Sequence, residues 1–149
     1  MKRRTALYAV LALLAALLLL SACAPLNASP APAALEQNGS YTTKADVALY
    51  VYMYGGLPGN FITKPQARAL GWDGGGLEAV APGKCIGGDS FGNFEGLLPT
   101  ALGRRYTECD IDTLGKDSRG AQRLVFSNDG LVYYTGDHYQ TFTLLYGGP

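Results

Sequence analysis

The chain carries a single histidine in 149 residues, His138, directly after Asp137. Imidazole changes charge near neutrality, so this residue is the natural candidate for moving a proton. Carboxylates are more numerous. Glu108 stands in the run Arg104-Arg105-Tyr106-Thr107-Glu108, with Asp110 and Asp112 close behind. Lys64, Arg119 and Arg123 are cations of the kind that hold phosphate oxygens. Taken singly, each has a plain reading: a surface histidine, a solvated strand carboxylate, charges facing water. Metal chemistry is disfavoured, because one His and three Cys, with no Cys-x-x-Cys pair, supply no four-ligand zinc set.

The elements that would position such groups begin well into the chain. Met1 to Arg4 is basic and Thr5 to Leu20 is uncharged and almost wholly apolar, the layout of a secretory signal. Leu20-Ser21-Ala22-Cys23 follows at once and looks like a bacterial lipobox. Residues 1–22 therefore read as a lipoprotein-type signal peptide, with Cys23 as the lipid anchor of an exported protein. Cleavage after another small residue such as Ala24, with release from the membrane, is the plainer alternative. Residues 23–40 are rich in Ala, Pro and Ser, lack apolar periodicity and read as a tether extended by about 3 Å per residue.

Loss of Lys2, Arg3 and Arg4 with the signal leaves nine basic residues against twelve acidic ones, a formal charge of −3. That excludes a strongly basic nucleic-acid binder, so any affinity for RNA must come from a local cluster of cations. Assigning Cys23 to lipid leaves Cys85 and Cys109. An oxidising compartment would let them bond, stabilising the fold by about 3 kcal/mol if their Cα atoms come within range. Two separate buried thiols are the alternative.

The domain proper is expected over 41–149. Thr42 or Thr43 can cap a helix whose Val47, Tyr50, Val51 and Tyr54 share a face, ended by Gly55-Gly56. Thr63-Lys64-Pro65-Gln66 has the form of a capping box opening a second helix, closed by Gly71. After Gly74-Gly75-Gly76 and a short helical stretch around Leu77 to Val80, the pattern turns to β-formers. Strands are expected near Lys84 to Asp89, Arg105 to Ile111, Arg123 to Ser127, Leu131 to Thr135 and Tyr139 to Leu145. A tight hairpin is expected at Ser127-Asn128-Asp129-Gly130. Helices first and strands afterwards predict an α+β fold, N-terminal helices packed on a C-terminal antiparallel sheet. Trp72 and Phe142 read as core, and Asp89 as a supporting hydrogen-bond partner.

Several blocks recur in register with a known family. They are Leu57-Pro58-Gly59-Asn60-Phe61-Ile62-Thr63-Lys64, Ala69-Leu70-Gly71-Trp72, Val80-Ala81-Pro82-Gly83-Lys84, Ile86-Gly87-Gly88-Asp89, Asn93-Phe94-Glu95-Gly96 leading to Leu98-Pro99, and Asp137-His138-Tyr139-Gln140-Thr141-Phe142-Thr143. From about Val47 to Thr143 the chain resembles the barnase family of microbial guanyl-preferring ribonucleases.

The resemblance implies an endoribonuclease that needs neither metal nor cofactor. Glu108 would take the proton of the ribose 2′-OH as it attacks phosphorus, and His138 would protonate the departing 5′-oxygen. The roles reverse when water opens the 2′,3′-cyclic phosphate. Lys64, Arg119 and Arg123 match the family's phosphate-binding cations. Because Asp112 to Ser118 is longer than the family pattern, Arg119 could be displaced and Lys116 share its work. Gly92, Asn93, Phe94 and Glu95 match the guanine-reading loop, with glycine where serine is usual and phenylalanine where arginine is usual. Tyr139 offers a stacking face beside them, and Phe94 a second one. Expected partners are the RNA substrate, the membrane through Cys23 and a barstar-like inhibitor, with the chain itself a monomer. A binding module that kept the fold but not the activity, and a toxin-like effector, are the other readings.

Overall fold

A computed structural model of the chain describes residues 34–148. The signal segment, Cys23 and most of the tether lie outside the described residues. Helix α1 (Lys44–Tyr54) begins where expected, with Thr43 as N-cap accepting from the Asp46 amide, and ends at Gly55 in the left-handed conformation. Such a cap stabilises a helix by about 1 kcal/mol. Its Val47, Ala48, Tyr50 and Val51 are buried. Tyr54, expected on the same face, is half exposed. Its hydroxyl instead donates to the Leu35 carbonyl, as the Tyr50 hydroxyl does to Gln37.

These two bonds tie residues 35–37 of the expected tether to α1, and Leu35 groups with the compact unit that follows. Residues 35–40 were read as tether on composition, which does not register two tyrosine hydroxyls waiting on the next helix.

Helix α2 (Lys64–Ala69) follows a two-residue strand β1 (Phe61–Ile62) and opens with the full capping box: Thr63 accepts from the Gln66 amide and the Gln66 side chain accepts from Thr63. Leu77 to Val80 makes one turn, with the Val80 and Ala81 amides both donating to the Leu77 carbonyl, and goes no further.

Four strands follow within a few residues of their expected limits, β2 (Cys85–Phe91), β3 (Tyr106–Asp110), β4 (Arg123–Ser127) and β5 (Val132–Thr135), and a last one, β6 (Thr143–Tyr146), begins late. The sheet runs in chain order, β1 to β6. All neighbours are antiparallel except β1 and β2, which are parallel. The fold is therefore α+β, as the order of patterns predicted, with a largely antiparallel sheet.

Alternation along β3 and β4 gives the sheet two different faces. Cys109, Leu124, Phe126 and Val132 pack against Val47, Ala48 and Val51 of α1. The register places Glu108 opposite Val125, and Val125 opposite Tyr133, on the other face. There Tyr106, Val125, Leu131 and Tyr133 form a second cluster with Leu98. Asp110 pairs with Arg123 and Arg123 with Thr135 along the same row. The residues of chemical interest thus share the face that α1 does not cover.

Cys85 and Cys109 are both buried and both free. In the register of β2 and β3 the residue opposite Cys109 is Gly87, and Cys85 lies two positions along β2. Burial pushes both thiols up from their ordinary value.

Candidate active site

One open cleft of about 690 Å³ gathers most of the candidates. Lys64, Glu108, Arg119, His138 and Tyr139 line it together with the loop Gly92 to Glu95. Glu108 comes from the middle of β3 and is nearly buried. Lys64 Nζ donates to its Oε1, and the Tyr139 hydroxyl donates to its Oε2. The carboxylate is therefore held at both oxygens. Lys64 is aimed there by the start of α2, where its amide also donates to Asp89 Oδ2 at 2.9 Å.

His138 and Tyr139 sit in a turn between β5 and β6. Both have left-handed backbones, φ 57° and 74°, a conformation that costs a non-glycine residue about 1–2 kcal/mol. The turn is held from within. Asp137 accepts from Thr135 Oγ1, from the amides of Gln140 and Thr141, and from Thr141 Oγ1. These bonds, the Thr141 hydroxyl foremost, hold the Asp137 carboxyl down at about 2. The His138 amide donates to the Ala121 carbonyl and the Tyr139 amide to Thr135 Oγ1. This turn occupies the first half of the expected Tyr139 to Leu145 strand.

Asp110 is the residue that the sequence reading passed over. It is 1% exposed and grips Arg119 through two bonds, from Nε at 2.6 Å and Nη2 at 2.7 Å. Arg123 Nε lies 3.0 Å from the same carboxylate, off the line of a hydrogen bond. Asp110 follows Glu108 by two residues and so shares its face of β3.

Hydrogen bonding to Asp110 raises the Arg119 guanidinium from its ordinary value, whereas burial lowers that of Arg123. Arg123 is only 2% exposed and stands behind the cleft without lining it. Lys116 is not in the cleft either; it borders two smaller depressions elsewhere.

The loop over Gly92 to Glu95 is closed by Asn93, whose side chain both donates to and accepts from the Leu98 backbone, at 2.9 and 3.0 Å. Phe91 stacks against Tyr139 with ring centroids 5.2 Å apart, and Tyr139 lies against His138 at 4.8 Å. Phe91, Leu97 and Gln140 also line the cleft without having been singled out from the sequence. The arrangement can do two things: shuttle protons between a held carboxylate and an imidazole, and bind an anion between them.

A family model described as ribonuclease matches residues 45–146. The chain belongs to the microbial ribonuclease family. The ribonuclease of Bacillus intermedius is 56% identical over 99 residues, which are 65% of this chain and 60% of that protein. That of Heyndrickxia coagulans is 55% identical over 98 residues, 64% of this chain and 89% of its own. Guanyl-specific ribonuclease St of Saccharopolyspora erythraea is 42% identical over 57 residues, 38% of this chain and 56% of that protein. The chain spans about 60% of the length of the Bacillus relatives it matches.

Proposed function

We propose that this ribonuclease cleaves single-stranded RNA on the 3′ side of guanosine by transesterification to a 2′,3′-cyclic phosphate, followed by hydrolysis. The observation that carries the reading is the joint lining of one cleft by Glu108, His138, Lys64 and Arg119.

Glu108, oriented by its bond from Lys64, takes the proton of the 2′-OH, and the oxygen attacks the adjacent phosphorus. His138 gives a proton to the 5′-oxygen as the P–O bond breaks. Lys64 and Arg119 face the charge that builds on the non-bridging oxygens, with Arg123 reinforcing them through the shared Asp110. In the second step His138 takes a proton from water and Glu108 returns one to the 2′-oxygen. Glu95 and the backbone amides of Gly92 to Phe94 read the guanine, and Tyr139 stacks on a base. A relative carrying the printed name guanyl-specific supports this preference.

Cleavage of guanylyl dinucleotides by the domain from Leu35 onward tests the reading. A cyclic product is expected, with a bell-shaped pH dependence. Glu108→Ala and His138→Ala should each lower kcat by about 10²–10⁴-fold, and parental rates in both would overturn the mechanism. We further propose export with a lipid on Cys23, on the strength of Leu20-Ser21-Ala22-Cys23 after the apolar run. Cys23→Ser should move the protein from the membrane fraction to the medium; an unchanged distribution would refute the anchor.

A further inference from the structure

Arg119 reaches the cleft at the end of the segment 112–118, which joins β3 to β4 and forms neither helix nor strand. No ladder holds such a segment, so other contacts must fix where its guanidinium stands. Asp110 does part of this, but Asp110 is shared with Arg123.

The guanidinium also lies over the indole of Trp72, with Cζ 5.6 Å from the ring centroid. That distance is within cation–π range, and the planar arginine head suits a ring face. The same indole donates from Nε1 to the Gly75 carbonyl at 3.2 Å. The next residue, Gly76, donates its amide to the Asp117 carbonyl at 2.6 Å. A Cβ on Gly76 would sit 2.0 Å from the Lys116 carbonyl oxygen and 3.0 Å from backbone carbons of Asp117. Backbone meets backbone there, and a side chain fits only if the segment moves. The contacts close a circuit: the ring under the guanidinium pins the glycine turn, and the turn pins the segment that carries the guanidinium.

We propose that Trp72 and Gly76 are positioning residues for Arg119, holding the 112–118 segment so that the guanidinium stays at the phosphate position. The proposal rests on the reading of Arg119 as a phosphate ligand. Trp72 is 7% exposed and packs with Ala67, Leu77 and Ile86, so its part in the core is real but does not exhaust its contacts.

A double-mutant cycle on guanylyl dinucleotide cleavage separates the two roles. Trp72→Leu and Gly76→Ala are each expected to lower kcat/KM by between about tenfold and a hundredfold, the scale of a misplaced catalytic group. In an Arg119→Ala background neither should lower it further. Trp72→Phe, which keeps a ring but has no N–H, should restore part of the loss.

A factor that is the same in both backgrounds, or a parental rate in Trp72→Leu and Gly76→Ala, would overturn the positioning role. Parental activity in Arg119→Ala would fell the reading of Arg119 itself, and the proposal with it. Circular dichroism establishes that each variant is folded. Gly76→Ala leaves the packing of Trp72 in place and carries the comparison alone if Trp72→Leu does not fold.

Discussion

Phe94 is 95% exposed, yet its ring lies back along its own loop. A Cβ on Gly92 would stand 2.2 Å from the ring's Cε2. Gly92 has no left-handed backbone to explain it, so what the glycine supplies is room for the ring. Gly92 and Phe94 therefore act as a pair, and together they present an aromatic face at the rim of the cleft. Stacking on such a face contributes about 1–3 kcal/mol per base. Phe94→Ala is therefore expected to raise KM for guanylyl substrates by about 5- to 100-fold while leaving kcat near the parental value. Gly92→Ser should do the same by pushing the ring aside, and the double variant should be no worse than Phe94→Ala. Additive losses would show the two positions to be independent. Glu108 and His138 could be picked out only through the blocks shared with the resembling family, since each taken singly has a plain reading. Asp110 could not, since a carboxylate on a strand declares nothing until the arginines that meet it arrive from residues 119 and 123.

The turn between β5 and β6 shows what an element adds. A run of β-formers over Tyr139 to Leu145 reads as strand, and β-propensity does favour it. Four bonds to Asp137 win locally, because a short polar side chain can offer the backbone partners that a ladder would otherwise give. That local hydrogen bonding, invisible to periodicity, is what places His138 at the cleft. It also makes the turn sensitive to acid. The Asp137 carboxyl is depressed in the folded state to about 2, against an unfolded value of about 3.9. Its contribution to stability is thus complete above the unfolded value and lost as pH falls from there through about 2. The difference in melting temperature between the parent and Asp137→Asn should be constant at neutral pH, shrink below about pH 4 and reach its minimum only below about pH 2, checked by thermal unfolding across that range. The helices needed no such correction. Thr43 and Thr63 cap as their sequences announce, because capping is decided within three or four residues.

At the scale of the molecule, the order of elements was legible and the division of the sheet was only half so. Helices before strands implied the α+β layering, but a two-residue parallel strand such as β1 is too short to leave a pattern. The attachment of Leu35 and Gln37 to α1 leaves no pattern for a similar reason, because their partners there are single hydroxyls. The two faces follow from alternation once register is known. Glu108 and Cys109 are neighbours in β3 that point in opposite directions, one to the cleft and one to the core beneath α1. A slip of β3 by a single residue would carry the carboxylate under the helix and the thiol into the cleft. No such molecule could be both well packed and active. Under the proposed mechanism the carboxylate acts as an inspector of assembly: whatever fraction of refolded chains cleaves RNA is a head count of those whose strands came together in step.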